Sequence, residues 1–242
     1  MNCLYDSKAV CRYKQACHNG YLEKSIDENI GLQKCIMFQE YQKQIELKFN
    51  VEKSGLPVSI LNKSFSDYKG KDENKNIEFL KEYIKLFPDS KNLFFFGSNG
   101  TQKSTVGRII GKEILSKGFS VSYVLADTLV KKLGKADRDT DIQNEVTDIL
   151  NKDLLIIDEF ERSKMVYFES GWQLRYIFPF MKERIEIVNK PIILISNSMI
   201  KNIEKDFDYS LFDLVQREFK DVCIFNDVYV NEETKSDFNK LR

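Results

Sequence analysis

Apolar residues in this chain fall into short continuous runs, separated by stretches in which they recur every three or four positions. The runs are Phe94-Phe95-Phe96, Phe119 to Leu125, Leu154-Leu155-Ile156-Ile157, Pro191 to Ile195 and Val222 to Phe225. Short apolar runs bounded by turn residues read as strands buried on both faces, as in a parallel sheet. Between them, Val106, Ile109, Ile110 and Ile114 repeat at helical spacing, and Gly118 closes that helix. Further helices are expected from Thr128 to Lys135, Asp141 to Asn151, Gly171 to Val188 and Ser210 to Phe219, with a charged, solvated linker over 135–139. Strand and helix alternate, which predicts an α/β fold with a central parallel sheet flanked by helices.

Upstream the pattern changes. Ile36, Phe38, Tyr41, Ile45 and Phe49 predict a helix from Cys35 to Val51, and Ser54-Gly55-Leu56-Pro57 breaks it. That break divides the chain into residues 1–53 and 54–242. Asn62 to Tyr68 and the charged run to Lys75 read as a surface linker. A helix then carries Ile77, Leu80, Ile84 and Phe87 on one face and stops at Pro88.

The 242 residues suffice for one sizeable α/β domain and a small appendage. Lys and Arg total 37 against 37 Asp and Glu, so bulk charge points to neither nucleic acid nor membrane. No apolar run approaches the ~20 residues of a membrane span. The N-terminus, with Asp6, Lys8 and Cys11, lacks the apolar centre of a signal peptide. A cytoplasmic protein is expected, and its cysteines are then thiols or metal ligands more than a disulfide framework.

Four of the five cysteines, Cys3, Cys11, Cys17 and Cys35, cluster in the first 35 residues beside the lone His18. Four thiolates, or three with His18, would satisfy tetrahedral Zn²⁺ and staple a segment poor in apolar residues. The spacing is looser than short zinc knuckles. An iron–sulfur cluster, or isolated cysteines in a loosely helical arm, fits it as well.

The aromatic strand runs into Gly97-Ser98-Asn99-Gly100-Thr101-Gln102-Lys103-Ser104-Thr105 and then a helix. Small residues let backbone N–H groups face a polyphosphate, and the helix N-terminus adds positive potential. In this arrangement Lys103 reaches the β/γ-phosphates and the Ser104 hydroxyl holds Mg²⁺. The pattern G-x-x-x-x-G-K-[ST] is kept except that Gln102 replaces the second glycine. A glutamine at φ > 0 costs about 1–2 kcal/mol, and its side chain is expected to crowd the phosphates, with Gly100 taking part of the special geometry. The second element of the site is the acidic pair Asp158-Glu159, closing a buried strand at the sheet edge where α/β proteins bind ligands. Asp158 would hold Mg²⁺ and Glu159 would polarise water. Asn197 ends another strand and reads as a γ-phosphate sensor or as a cap. Arg217 reads as a surface charge or as a group placed against a neighbouring subunit's phosphate. Lys131, Lys132 and Lys135 are basic but fit a solvated helix face, so no DNA-contacting residue is assigned.

Together, the loop Gly97 to Thr105, Asp158-Glu159, Ser196-Asn197 after Lys190-Pro191, and a cysteine module joined through Ser54-Gly55-Leu56-Pro57 and Ser64 to Tyr68 carry a resemblance. The chain resembles bacterial replicative-helicase loaders of the DnaC/DnaI type, AAA+ ATPases that include phage-encoded members. Cys11-x5-Cys17 followed by Gly20-Tyr21 resembles the corresponding stretch of DnaI-type loaders. The resemblance implies an AAA+ P-loop NTPase fold, ATP and Mg²⁺ as cofactors, and a zinc-binding N-terminal module that contacts a hexameric replicative helicase. It also implies binding to single-stranded DNA. By position, Lys103 and Ser104 are Walker A residues, Asp158 and Glu159 Walker B, and Asn197 sensor 1. Arg217 is then an arginine finger acting in trans within a homo-oligomer, and Phe65 to Tyr68 borders the adenine. Two departures, Gln102 and Val230 at an expected sensor 2 arginine, point to weak ATP hydrolysis. An IstB-type transposition helper shares the core motifs, and a binding-only module that sequesters a helicase is the reading from another class.

Overall fold

The computed structural model describes residues 17–18, 21–26, 29–69, 73–161, 174–198 and 209–225. The chain falls into two compact units, Met1–Asn50 and Val51–Arg242. In the first, β1 (Cys17–His18), β2 (Tyr21–Ile26) and β3 (Asn29–Lys34) form an antiparallel sheet in that order. No strand is expected there from the sequence, because stretches such as Tyr-Leu-Glu-Lys-Ser-Ile have no clean alternation. Helix α1 (Ile36–Lys53) follows. Its end is closed within the second unit, where the Ser54 hydroxyl donates to the Val51 carbonyl at 2.8 Å and Gly55 takes φ 81°.

Two 3₁₀ turns follow, Val58–Asn62 and Phe65–Asp67, and the second orders the start of the segment expected to be a surface linker. Ser64 caps the second, its N–H donating to the Asp67 carboxylate at 2.7 Å. Tyr68 is then buried, edge-on to Phe225 with ring centroids 5.8 Å apart. Beyond it come α2 (Glu73–Leu86), β4 (Leu93–Gly97), α3 (Lys103–Ser116), β5 (Val121–Leu125) and α4 (Ala126–Ala136). The supposed linker over 135–139 is mostly helix end and cap. The Asp139 carboxylate accepts from the N–H groups of Asp141 and Ile142 and starts α5 (Thr140–Asn151).

β6 (Leu154–Asp158), α6 (Leu174–Lys182), β7 (Ile192–Ser196), α7 (Tyr209–Glu218) and β8 (Asp221–Phe225) complete the described elements. The expected start of α6 at Gly171 lies outside the described residues. The helix runs on as a π-helical stretch, Glu183–Val188. This stretch holds Arg184, whose fully buried guanidinium donates to the carbonyls of Leu150, Lys152, Asp153 and Pro191. Burial lowers its pKa to about 10, which leaves it charged at neutral pH.

The sheet is parallel, in the order β5-β6-β7-β4-β8. Its two faces are assigned residue by residue, as period-2 geometry requires. Phe94, Leu155, Ile157, Ile192 and Leu194 pack with Leu129, Ile177, Phe180 and Leu214 from α4, α6 and α7. On the other face Ile156 and Ile195 meet α3 at Gly107, where a Cβ would lie 2.5 Å from Ile195 Cδ1. Burial of each such Leu, Ile or Phe side chain contributes roughly 1.5–3 kcal/mol. The sheet register matters for function: Gly97, Asp158 and Ser196 end strands that open along one edge. Among the described residues, no helix is long and apolar enough to cross a membrane.

Candidate functional site

β4 delivers residues 98–102 to the N-terminus of α3. Gly97 is required by the sheet itself, since it pairs with Phe225 of β8 and a Cβ there would lie 2.2 Å from the Phe225 carbonyl oxygen. Two residues of the loop take left-handed backbone, Gly100 at φ 81° and Gln102 at φ 64°. The strained geometry expected at position 102 is therefore present, with Gly100 adding a second such residue. The Gln102 side chain has a partner outside the loop. Its amide oxygen accepts from the Lys69 backbone N–H at 3.0 Å, which clips the loop to the segment after the Phe65–Asp67 turn.

A cleft of about 290 Å³ lies beside the loop, lined by residues 99–105, Asp158, Glu159, Glu161, Ile195, Ser196 and Asn197. Of the expected site residues, Asn99, Gly100, Thr101, Gln102, Lys103, Ser104, Thr105, Asp158, Glu159 and Asn197 thus come together. Gly97 and Ser98 support the cleft from the strand end. Lys103 is buried, and its ammonium donates to Ser98 O at 2.7 Å, Asn197 Oδ1 at 2.8 Å and Thr101 Oγ1 at 3.3 Å. Burial pushes the Lys103 pKa down, and the carboxylates of Glu161 and Asp158 oppose that push. On the other side of the cleft Ser104 Oγ donates to Asp158 Oδ1 at 3.0 Å, so hydroxyl and carboxylate lie side by side.

Asp158 is buried and held from several directions. Its Oδ1 also accepts from the Glu159 N–H at 2.8 Å, and its Oδ2 accepts from the Tyr123 hydroxyl. Burial raises the Tyr123 phenol well above its ordinary range, and the Asp158 charge raises it further, so this hydroxyl stays protonated. Glu159 takes φ 55°, a left-handed backbone that costs a non-glycine residue free energy and that clusters at functional sites.

Glu161 is a member that the sequence reasoning missed. Its carboxylate accepts from both the backbone and side-chain amides of Asn197, and so it fixes which way Asn197 turns toward Lys103. Glu159 and Glu161 both line the cleft, and Phe160 between them is fully buried. The signal was an apolar residue flanked by two acids, Asp158-Glu159-Phe160-Glu161, which reads as two exposed carboxylates around one anchor. Tyr123 and Arg108 were missed as well, hidden in a strand and a helix that read as plain scaffold.

Arg217 does not join the cleft in its own chain. Its guanidinium is engaged by Glu218 at 2.8 Å, Asp213 at 3.1 Å and Glu186 at 3.2 Å. It lines a separate cleft with Asn92, Pro191 and Asp221, residues at or just before the starts of β4, β7 and β8. That is the sheet edge opposite the phosphate loop. For the expected zinc ligands, Cys3, Cys11 and the Cys17 side chain lie outside the described residues, and Cys35 is a buried free thiol. Among the described residues no group of three or more His, Cys, Asp or Glu side chains is arranged to hold a metal ion. Val230 also lies outside the described residues.

Comparison with known proteins adds family context to this geometry. Residues 42–212, more than two thirds of the chain, match the family of IstB-like ATP binding proteins. An ATP-binding protein of insertion sequence IS5376 from Geobacillus stearothermophilus is 30% identical over 120 residues, 49% of this chain. The match spans only 45% of that relative's length. A DnaI crystal structure superposes with a TM-score of 0.58 at 17% identity, covering 72% of this chain and 93% of that chain. A DnaC helicase loader structure gives 0.58 at 18% identity, covering 69% of this chain and 98% of that chain. These likenesses establish the AAA+ P-loop α/β fold of the second unit.

Proposed function

The chain belongs to the IstB-like ATP binding protein family, and from that premise we propose that it binds ATP with Mg²⁺ and uses the nucleotide to engage a hexameric replicative DNA helicase. It then helps to place that helicase on single-stranded DNA. The observation that carries the nucleotide part is the convergence of Lys103, Ser104, Asp158 and Asn197 on one cleft at the C-terminal edge of the sheet. Lys103 donates to neutral oxygens. A phosphate oxygen is a stronger, charge-assisted acceptor and would replace them. The first-turn N–H groups of α3 add unfilled donors at the same place. Ser104 Oγ and Asp158 are hard oxygen donors of the kind Mg²⁺ takes.

In this reading Glu159 and Asn197 orient the attacking water, and Arg217 serves the cleft of a neighbouring copy in a homo-oligomer. Hydrolysis is slow and ATP binding does most of the signalling. Residues 1–53 form the helicase-contacting arm, with Cys3, Cys11, Cys17 and Cys35 holding zinc, and residues 54–242 form the nucleotide domain of a cytoplasmic protein. Support for a loader comes from the near-complete coverage of the DnaI and DnaC chains. A second reading, a transposition helper ATPase, is supported by the sequence identity to the insertion-sequence protein.

Calorimetry of the full chain with Mg-ATP tests the core of the proposal, with Lys103→Ala as the control that should lose the heat. Absence of heat for ATP, ADP and a non-cleavable analogue would overturn it. Co-purification then separates the partners: a hexameric helicase supports the loader, a transposase the helper. Loss of turnover in Glu159→Gln, with helicase and single-stranded DNA present, would exclude a binding-only module.

A further inference from the structure

Two side chains outside the phosphate loop and the acidic pair converge on Asp158. Tyr123 reaches it from the neighbouring strand β5, and Arg108 from α3, five positions after Lys103. We propose that Tyr123 and Arg108 are positioning residues that set how well Asp158 and Ser104 hold a divalent cation. This proposal rests on the nucleotide reading above.

The geometry gives each residue a task. A carboxylate ending in a broad, two-fold torsion can turn and exchange its oxygens unless both are held. Oδ1 of Asp158 is held by Ser104 and the Glu159 N–H, and Oδ2 by the Tyr123 hydroxyl. With Oδ2 anchored away from the loop, Oδ1 stays beside Ser104, where a cation would use both oxygens. Arg108 in turn fixes the phenol, because Nε and Nη2 donate to the Tyr123 hydroxyl oxygen at 2.9 and 2.6 Å. The same Nη2 lies 3.7 Å from Asp158 Oδ2. One guanidinium therefore ties the helix that carries Lys103 and Ser104 to the strand end that carries Asp158.

Tyr123 is itself held in place along the chain. It pairs with Ile156 of β6, and its N–H donates to the Ser54 carbonyl at 2.7 Å. Gly55 approaches so closely that a Cβ there would lie 2.4 Å from the Tyr123 carbonyl oxygen. The outer side of β5 is thus closed by residues 54–55, and the phenol has a fixed base from which to orient the carboxylate.

The test uses the full-length protein and a fluorescent ATP analogue, titrated with MgCl₂ and separately in excess EDTA. Tyr123→Phe removes only the hydroxyl, and should raise the Mg²⁺ midpoint about ten-fold, the usual scale for groups that orient a metal ligand. Affinity in EDTA should not change. Arg108→Ala should show the same split, and Arg108→Lys, which keeps the charge but loses the fork, a smaller shift. Ser104→Ala is the positive control and should abolish the Mg²⁺ enhancement. Wild-type Mg²⁺ midpoints in both Tyr123→Phe and Arg108→Ala would overturn the proposal while leaving the nucleotide reading intact. Equal losses with and without Mg²⁺ would overturn it as well, since they would indicate general damage. If the wild-type protein bound no nucleotide under either condition, the nucleotide reading itself would fail. Should Tyr123→Phe not fold, Arg108→Ala decides, because that side chain is partly exposed, at 33%.

Discussion

Replacing Gln102 separates two effects that the loop holds in opposition. The residue takes φ 64° and ψ 14°, a left-handed conformation costing a side-chain-bearing residue about 1–2 kcal/mol. Its side chain recovers part of that cost through the bond to the Lys69 N–H, a contact worth about 0.5–1.5 kcal/mol. Gln102→Ala keeps the strain and loses the bond, so it should be less stable by about 1 kcal/mol, or about 2–4 °C in Tm for a protein of this size. Gln102→Gly loses the same bond but relieves the strain, and glycine's extra unfolded-state freedom takes back about 0.5–1 kcal/mol. It should therefore fall within about 1 kcal/mol of the parent and above the alanine variant. Urea unfolding of the three proteins measures this directly. If alanine matched the parent while glycine gained more than about 2 kcal/mol, the bond to Lys69 would contribute nothing and the balance argued here would be wrong. Calorimetry of the same set checks the direction of the side chain. Because it turns to Lys69, glycine should tighten ATP by no more than a few-fold, and a gain of about a hundred-fold, near 2.8 kcal/mol, would mean that it crowds the phosphates after all.

Arg184→Met should destabilise the fold by at least about 3 kcal/mol, because the carbonyls it serves lose buried donors; a thermal midpoint within a degree or two of the parent would contradict that role. The Cys223 thiol is raised from 9.0 to about 12 by burial and then by Asp221, so its share of stability is full below 9.0 and lost as pH climbs toward 12. Unfolding free energies at about pH 8 and about pH 10.5 should therefore fall further apart in the parent than in Cys223→Ala. Arg217→Ala should leave ATP affinity unchanged and lower turnover only in assembled protein; a loss of affinity in the isolated chain would refute action in trans.

Strands β4 to β7 were legible because each is buried on both faces, and such strands announce themselves as unbroken apolar runs. Strand β8, by contrast, is apolar although Val222 and Ile224 on one face are exposed. Leu154 to Ile157 and Pro191 to Ile195 need no pairing partner to be recognised. The phosphate loop and Asp158 followed from their positions at strand ends. Other features were illegible for opposite reasons. The strands β2 and β3 interrupt their apolar residues with polar ones and glycine, so their periodicity is too weak to read. Segment 64–68 looked like a linker because its order comes from a capping exchange between Ser64 and Asp67 and from one buried ring, Tyr68. Glu161, Tyr123 and Arg108 act through sheet register and helix phase, and no local spacing reveals which distant residue they will face.

The separation of Arg217 from the phosphate loop bears on what one chain can do. Strand β4 joins the two edges of the sheet, with the loop at its end and Asn92 of the Arg217 cleft just before its start. A side chain tied to Asp213, Glu186 and Glu218 at one edge cannot also reach a phosphate at the other without dismantling both the ion pairs and the helix that bears them. Among the described residues that line its cleft, a single chain presents acidic groups and one cation, Lys103. Binding can still do work under that condition. A nucleotide shifts a conformational equilibrium by its difference in affinity for the two states, whether or not it is cleaved. In the proposed reading, assembly would bring a neighbour's Arg217 to that cleft, and with it a reason for turnover to wait until copies stand side by side.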